Sequence, residues 1–142
     1  LLIMGYGTNK KMINNFILNN NLKKTVKVIP FQTNPYKYLK QSDLLILTSL
    51  YEGLPNVLLE AMALKKFIIS SNCPTGPKEI LQNGKFGMLF KVKNFKQLEK
   101  KIIEFNNKKK FYQRKIRAAY TSLERFDMSK NCNEYLELIN KL

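Results

Sequence analysis

Short apolar runs, each delivering the chain to a loop of turn-forming residues, constrain the fold more than any other feature. Leu44-Leu45-Ile46-Leu47, within an expected strand over Asp43 to Thr48, and Phe67-Ile68-Ile69-Ser70 are continuous rather than alternating. Such runs suit strands of a parallel sheet covered on both faces. Leu1 to Met4, Val26 to Pro30 and Phe86 to Phe90 read as further strands. Helical patterns separate them. Met12, Ile13, Phe16 and Ile17 share a face within Lys10 to Asn20. Asn34 and Pro35 cap and start a helix to Gln41, Pro55 starts one to Leu64, and Pro77 starts one to Gln82, stopped near Gly84. Proline suits a first helical residue because its missing N–H would be unpaired there. Strand and helix alternate throughout, which predicts an α/β, Rossmann-like, doubly wound parallel sheet. Ligands of such sheets bind beyond the carboxyl ends of the strands. The loops leaving those ends are Phe31 to Asn34, Ser49 to Leu54 and Ser71 to Gly76. Gly5-Tyr6-Gly7 reads as a turn rather than a phosphate cradle.

From Asn94 the character changes to helices alone. Phe95, Leu98, Ile102 and Phe105 fall on one helical face, with Asn94 as its N-cap. Asn106 to Lys110 reads as a polar break and Phe111 to Phe126 as a second helix. Ser129 is the expected cap of a last one carrying Cys132, Tyr135, Leu136, Ile139 and Leu142. The expected organisation is a core over 1–93, incomplete at its N-terminus, with helices over 94–142 packing on the same domain.

Twenty-five basic residues against 10 acidic ones give a net charge of +15. Only Arg114, Arg117 and Arg125 are arginine. Base-specific readers of DNA rely on arginine forks, so no nucleic-acid partner is expected. The excess fits attraction to phosphates, peripheral contact with an anionic membrane face, or a lysine-rich surface of biased composition, which the 16 asparagines also suggest. The chain has no histidine, which removes histidine triads and histidine metal ligands. Cys73 and Cys132 show no metal spacing, so the expectation is no metal and no cofactor. No apolar run is long enough to span a bilayer. The simplest setting is cytoplasmic.

The densest chemistry lies in Tyr51-Glu52-Gly53-Leu54-Pro55-Asn56-Val57-Leu58-Leu59-Glu60. A helix begun near Pro55 would aim the N–H groups of about Leu54 to Leu58 out of its end, where the dipole favours an anion. Glu60 would stand within the helix and Glu52 off its end. On spacing alone, an amphipathic helix with two solvated glutamates is as good a reading.

This stretch resembles the two-glutamate motif of retaining glycosyltransferases of the GT-B fold, most closely glycosyltransferase family four, also called group 1. The likeness extends to Asn34-Pro35-Tyr36, Tyr38-Leu39, Ser42-Asp43, Glu60-Ala61-Met62-Ala63 and Asn72-Cys73-Pro74-Thr75-Gly76-Pro77-Lys78-Glu79-Ile80, in order over about 1–105. It implies the donor-binding, carboxyl-terminal part of an enzyme that moves a sugar from a nucleoside diphosphate to an acceptor, with retention and without metal, in surface polysaccharide or glycolipid synthesis. Glu60 would hold the ribose hydroxyls. Gly53, Leu54, Pro55, Asn56 and Val57 would bind the donor, the backbone N–H groups at about Leu54 to Val57 meeting its distal phosphate. Glu52 would contact the sugar as the catalytic residue. Phe31 and Gln32 would frame the base. Thr75 and Gly76 either line the donor pocket or form a plain turn. The family's basic Arg and Lys pair, its first strand and helix, and its amino-terminal acceptor domain have no counterpart here. The expectation is therefore that these 142 residues alone transfer no sugar. A degenerate nucleotide-binding module and a sugar-nucleotide epimerase of similar architecture are the competing readings.

Overall fold

A computed structural model describes residues 1–141. The chain divides into two compact units, Leu1–Lys37 and Tyr38 onward.

The first unit is a strand–helix–strand. β1 (Leu2–Met4) and β2 (Lys27–Ile29) pair in parallel, Ile3 opposite Val28, with α1 (Lys10–Asn19) between them in sequence. Ile17 is the residue of α1 that is buried. α2 (Tyr36–Gln41) leads into the second unit.

The second unit is built on a three-stranded parallel sheet in the order β3 (Leu44–Leu47), β4 (Phe67–Ser71) and β5 (Met88–Phe90). Its register sets Ile46 opposite Ile69 and Ile69 opposite Met88. α3 (Asn56–Ala63) joins β3 to β4. α4 (Pro77–Ile80) and a 3₁₀ turn (Gln82–Gly84) join β4 to β5. α5 (Phe95–Asn107), α6 (Lys109–Thr121), a 3₁₀ turn (Ser122–Phe126) and α7 (Met128–Ile139) follow.

β4 is buried along its whole length, because its alternating side chains enter two different clusters. Ile68 packs with Leu58, Ala61 and Met62 of α3, with Ile80, Leu81 and Phe86, and with Ala119 of α6. Phe67 and Ile69 face the other way, against Met88, Phe90, Phe105, Tyr112 and Ile116. The rings of Phe67 and Phe105 stack at 4.7 Å. A strand covered on both faces has no need of a polar alternate, which is why its sequence is a continuous apolar run.

Several expected details are corrected. β1, β2, β3 and β5 are shorter than predicted, β5 for example starting at Met88 rather than Phe86, whereas β4 runs one residue further, to Ser71. Pro55 is the N-cap of α3, in extended conformation with φ −72° and ψ 96°, and Asn56 is its first helical residue. The polar break after α5 is narrower than Asn106 to Lys110: α5 runs to Asn107 and Lys108 alone separates it from α6. Phe95 lies off the core face, 75% exposed. The helix expected over Phe111 to Phe126 gives way to a 3₁₀ turn at Ser122. The last helix is capped by Asp127, whose carboxylate accepts from the Lys130 N–H at 2.8 Å, not by Ser129. Its expected apolar face, Tyr135, Leu136 and Ile139, is exposed, as is Cys132. Leu142 lies outside the described residues.

Candidate functional site at the carboxyl edge of the second sheet

β3 and β4 run in the same direction, so the loops leaving Leu47 and Ser71 emerge at the same edge. Three hydroxyl groups knit these loops together. The Ser71 hydroxyl donates to the Ser49 carbonyl at 2.6 Å. The Ser49 hydroxyl donates to Glu52 Oε1 at 2.6 Å. The Thr75 hydroxyl donates to the Glu52 carbonyl and stands 2.7 Å from its neighbour's, Pro74. Glu52 is thus held by its side chain from one loop and by its main chain from the other. It remains half-buried.

Gly76 closes the second loop onto the first. A Cβ there would stand 2.1 Å from the Gly53 carbonyl oxygen and 2.4 Å from Pro55 Cδ. Its φ of +61° is also one that side-chain-bearing residues rarely adopt. Thr75, at φ +62°, takes the left-handed region despite its branched Cβ. Backbone cost of this kind persists only where the surroundings over-determine it. Here the Thr75 hydroxyl on Glu52 and the packing of Gly76 do so.

α3 starts against this junction. The N–H groups of Asn56 and Val57, its first two residues, have no acceptor within the helix. Leu58, the third, already donates to the Pro55 carbonyl at 2.9 Å, and Pro55 has no N–H. The donor row expected over Leu54 to Leu58 therefore contracts at its far end and is interrupted at Pro55. Gly53, Leu54 and Asn56 are exposed and Val57 is half-buried. Glu60, one turn further on, is half-buried between residues whose neighbours Ala61 and Met62 enter the core. Leu58, Ala61 and Met62 fix the rotation of the helix, and with it the side on which Glu60 stands.

The structure thus brings Glu52, Gly53, Pro55, Thr75 and Gly76 into contact and continues directly into Asn56, Val57 and Glu60. Phe31 and Gln32 belong to the first unit, after β2. Phe31 is 64% exposed, and the Gln32 amide donates to the Pro30 and Phe31 carbonyls at 3.2 Å. Beside Thr75 and Gly76 opens a hollow of 590 Å³, lined also by Asn72, Cys73, Pro74, Lys78, Glu79 and Asn83. Sequence reasoning singled out neither Ser49 nor Ser71. Their signal was position: a hydroxyl at the end of one strand and another just beyond the end of its neighbour. Among the described residues no group of three or more His, Cys, Asp and Glu could hold a metal ion, and no helix is long and apolar enough to cross a membrane.

The chain that carries this edge matches a known class. The family model described as glycosyl transferases, group 1, matches residues 1–122, and the chain belongs to that family. A glycosyltransferase of Methanocaldococcus jannaschii with no assigned substrate is 43% identical over 81 residues, 57% of this chain and 20% of the relative. The N-acetylgalactosamine-N,N'-diacetylbacillosaminyl-diphospho-undecaprenol 4-alpha-N-acetylgalactosaminyltransferase of Campylobacter jejuni is 28% identical over 140 residues, 96% of this chain and 38% of the enzyme. The crystal structure of S. aureus TarM G117R, in complex with fondaparinux, alpha-GlcNAc-glycerol and UDP, superposes with a TM-score of 0.87 at 26% identity. That match covers 98% of this chain and 28% of TarM. The chain spans well under half the length of each of these proteins.

Proposed function

We propose that this chain binds a nucleoside diphosphate sugar at the carboxyl edge of the β3–β4–β5 sheet, as the donor-binding part of a retaining, metal-independent glycosyltransferase. The observation that carries the reading is the seating of Gly76 on Gly53 and Pro55. It presses the loop after β4 onto the start of α3, beside Glu52 and the first N–H groups of the helix, and Glu60 follows one turn along the same helix. In this reading Glu60 accepts two ribose hydroxyls, as a carboxylate with its two acceptor oxygens is able to do. The N–H groups of Asn56 and Val57 meet the distal phosphate at the positive end of the helix. Glu52 meets the sugar. Charge developing on the leaving diphosphate would be stabilised by these fixed N–H donors.

UDP in the TarM complex favours a uridine diphosphate donor. The lipid-linked substrate in the name of the Campylobacter relative favours an acceptor at a membrane, which the lysine excess would suit. Because the chain spans 38% of that relative, acceptor binding is assigned to a part of the enzyme outside these residues, and the 142 residues alone are expected to turn over no donor. Base framing by Phe31 and Gln32, in the first unit, is a separate proposal.

Isothermal calorimetry with UDP tests the reading. The wild-type chain should bind, with or without EDTA. Glu60→Ala should weaken binding at least about tenfold, since a lost charged hydrogen-bond partner costs about 1.5–3 kcal/mol. UDP affinity unchanged in Glu60→Ala would remove the ribose assignment.

A further inference from the structure

Ser49 carries no role in the reading above, yet its hydroxyl donates to the Glu52 carboxylate. Resting on that reading, we infer that Ser49 is a positioning residue for Glu52, and that the relay from Ser71 through Ser49 sets the sugar-facing carboxylate independently of the ribose-facing one.

The relay starts from the best-held part of the sheet. Ser71 is the last residue of β4 and 1% exposed. Its hydroxyl has one proton, and gives it to the Ser49 carbonyl at 2.6 Å. That bond fixes the backbone of Ser49 two residues beyond β3. The Ser49 proton then goes to Glu52 Oε1 at 2.6 Å, within the range of a charge-assisted O–H···O⁻ bond. One carboxylate oxygen is occupied and oriented, and Oε2 is left to accept from a ligand hydroxyl. Thr75 holds the carbonyl of the same residue. Main chain and side chain of Glu52 are therefore both set before a ligand arrives, which is the condition for a precise contact. Glu60 is placed by different means, through the packing of α3 by Leu58, Ala61 and Met62. The two glutamates are thus separable by mutation.

The test compares UDP with a UDP-sugar on the same protein. Calorimetry is run with UDP and with whichever of UDP-N-acetylglucosamine, UDP-N-acetylgalactosamine and UDP-galactose the wild type binds most tightly. Ser49→Ala should leave UDP affinity within about twofold and weaken UDP-sugar about tenfold, the value of one charged hydrogen bond. Ser49→Thr, which keeps the hydroxyl, should restore the ratio. In a Glu52→Ala background, which has no acceptor for the Ser49 hydroxyl, Ser49→Ala should change the ratio no further. If Ser49→Ala does not fold, Ser49→Cys keeps the shape while weakening the donor and is read the same way. A Ser49 variant that leaves both affinities unchanged, or lowers both equally, overturns the inference while the donor reading stands. Wild-type chain that binds no UDP at all removes the donor reading itself.

Discussion

A single methyl group at Gly76 would be enough to part the two loops that make the site. The Gly53 carbonyl lies 2.1 Å from where that carbon would stand, and neither partner is a flexible side chain. Gly76→Ala should therefore destabilise the second unit by about 2 kcal/mol or more, seen as a lower denaturant midpoint, and should weaken UDP binding together with it. Tyr112 makes a different kind of prediction. Burial, then the bond of its hydroxyl to the Glu104 carboxylate at 2.5 Å and the charge of that carboxylate, push its pKa from 10.0 up to about 12. The folded state holds this proton more tightly than the unfolded one. The resulting stabilisation is complete below pH 10 and is lost as pH rises from 10 towards 12. Over that window the wild type should lose stability more steeply than Tyr112→Phe, measured by urea unfolding in parallel.

Among the elements, those that cross the core were legible and those at the rim were less so. β3 and β4 announced themselves as continuous apolar runs because both faces of the sheet are covered. Asn94 was readable as a cap, and its side chain accepts from the Gln97 N–H at 2.9 Å. At α7 the same rule selected the wrong residue. Asp127 and Ser129 are both capping types two positions apart. The 3₁₀ turn ending at Phe126 sets Asp127 in extended conformation, so the aspartate reaches the Lys130 N–H. Asp127→Ala should cost the helix about 1 kcal/mol. Hydrogen exchange at Lys130 and Asn131 should speed up accordingly, and should not change in Ser129→Ala. Helical periodicity also put Phe95 on the core face with Leu98, Ile102 and Phe105. It is the first residue of α5, and its ring stays exposed. Pro55 was read as a first helical residue and is the cap instead. A missing N–H is tolerated at either position, so only the backbone angles decide.

At the scale of the molecule, the alternation of strand and helix was enough for the α/β class and for the edge at which the loops gather. The contacts across that edge were not readable, because they depend on which loop leans on which. The hydroxyl relay of Ser71, Ser49 and Thr75 joins residues up to 23 apart in sequence. Its members are ordinary loop residues until β3 and β4 are set side by side. The glutamates were the reverse case: conspicuous in sequence, with Glu52 held at both ends by that relay and Glu60 carried on a helix whose rotation the core sets. The family match over 1–122 and the 0.87 superposition on TarM agree with this architecture. The central claim is that an anion attached to a pentose sits on the start of α3. Amide NMR on the ¹⁵N-labelled chain, titrated with UDP, tests it most directly. The N–H signals of Gly53, Leu54, Asn56 and Val57 should move in proportion to occupancy, and in Glu60→Ala the same movement should need at least about tenfold more UDP. Saturable shifts that spare these four residues and gather elsewhere would contradict it.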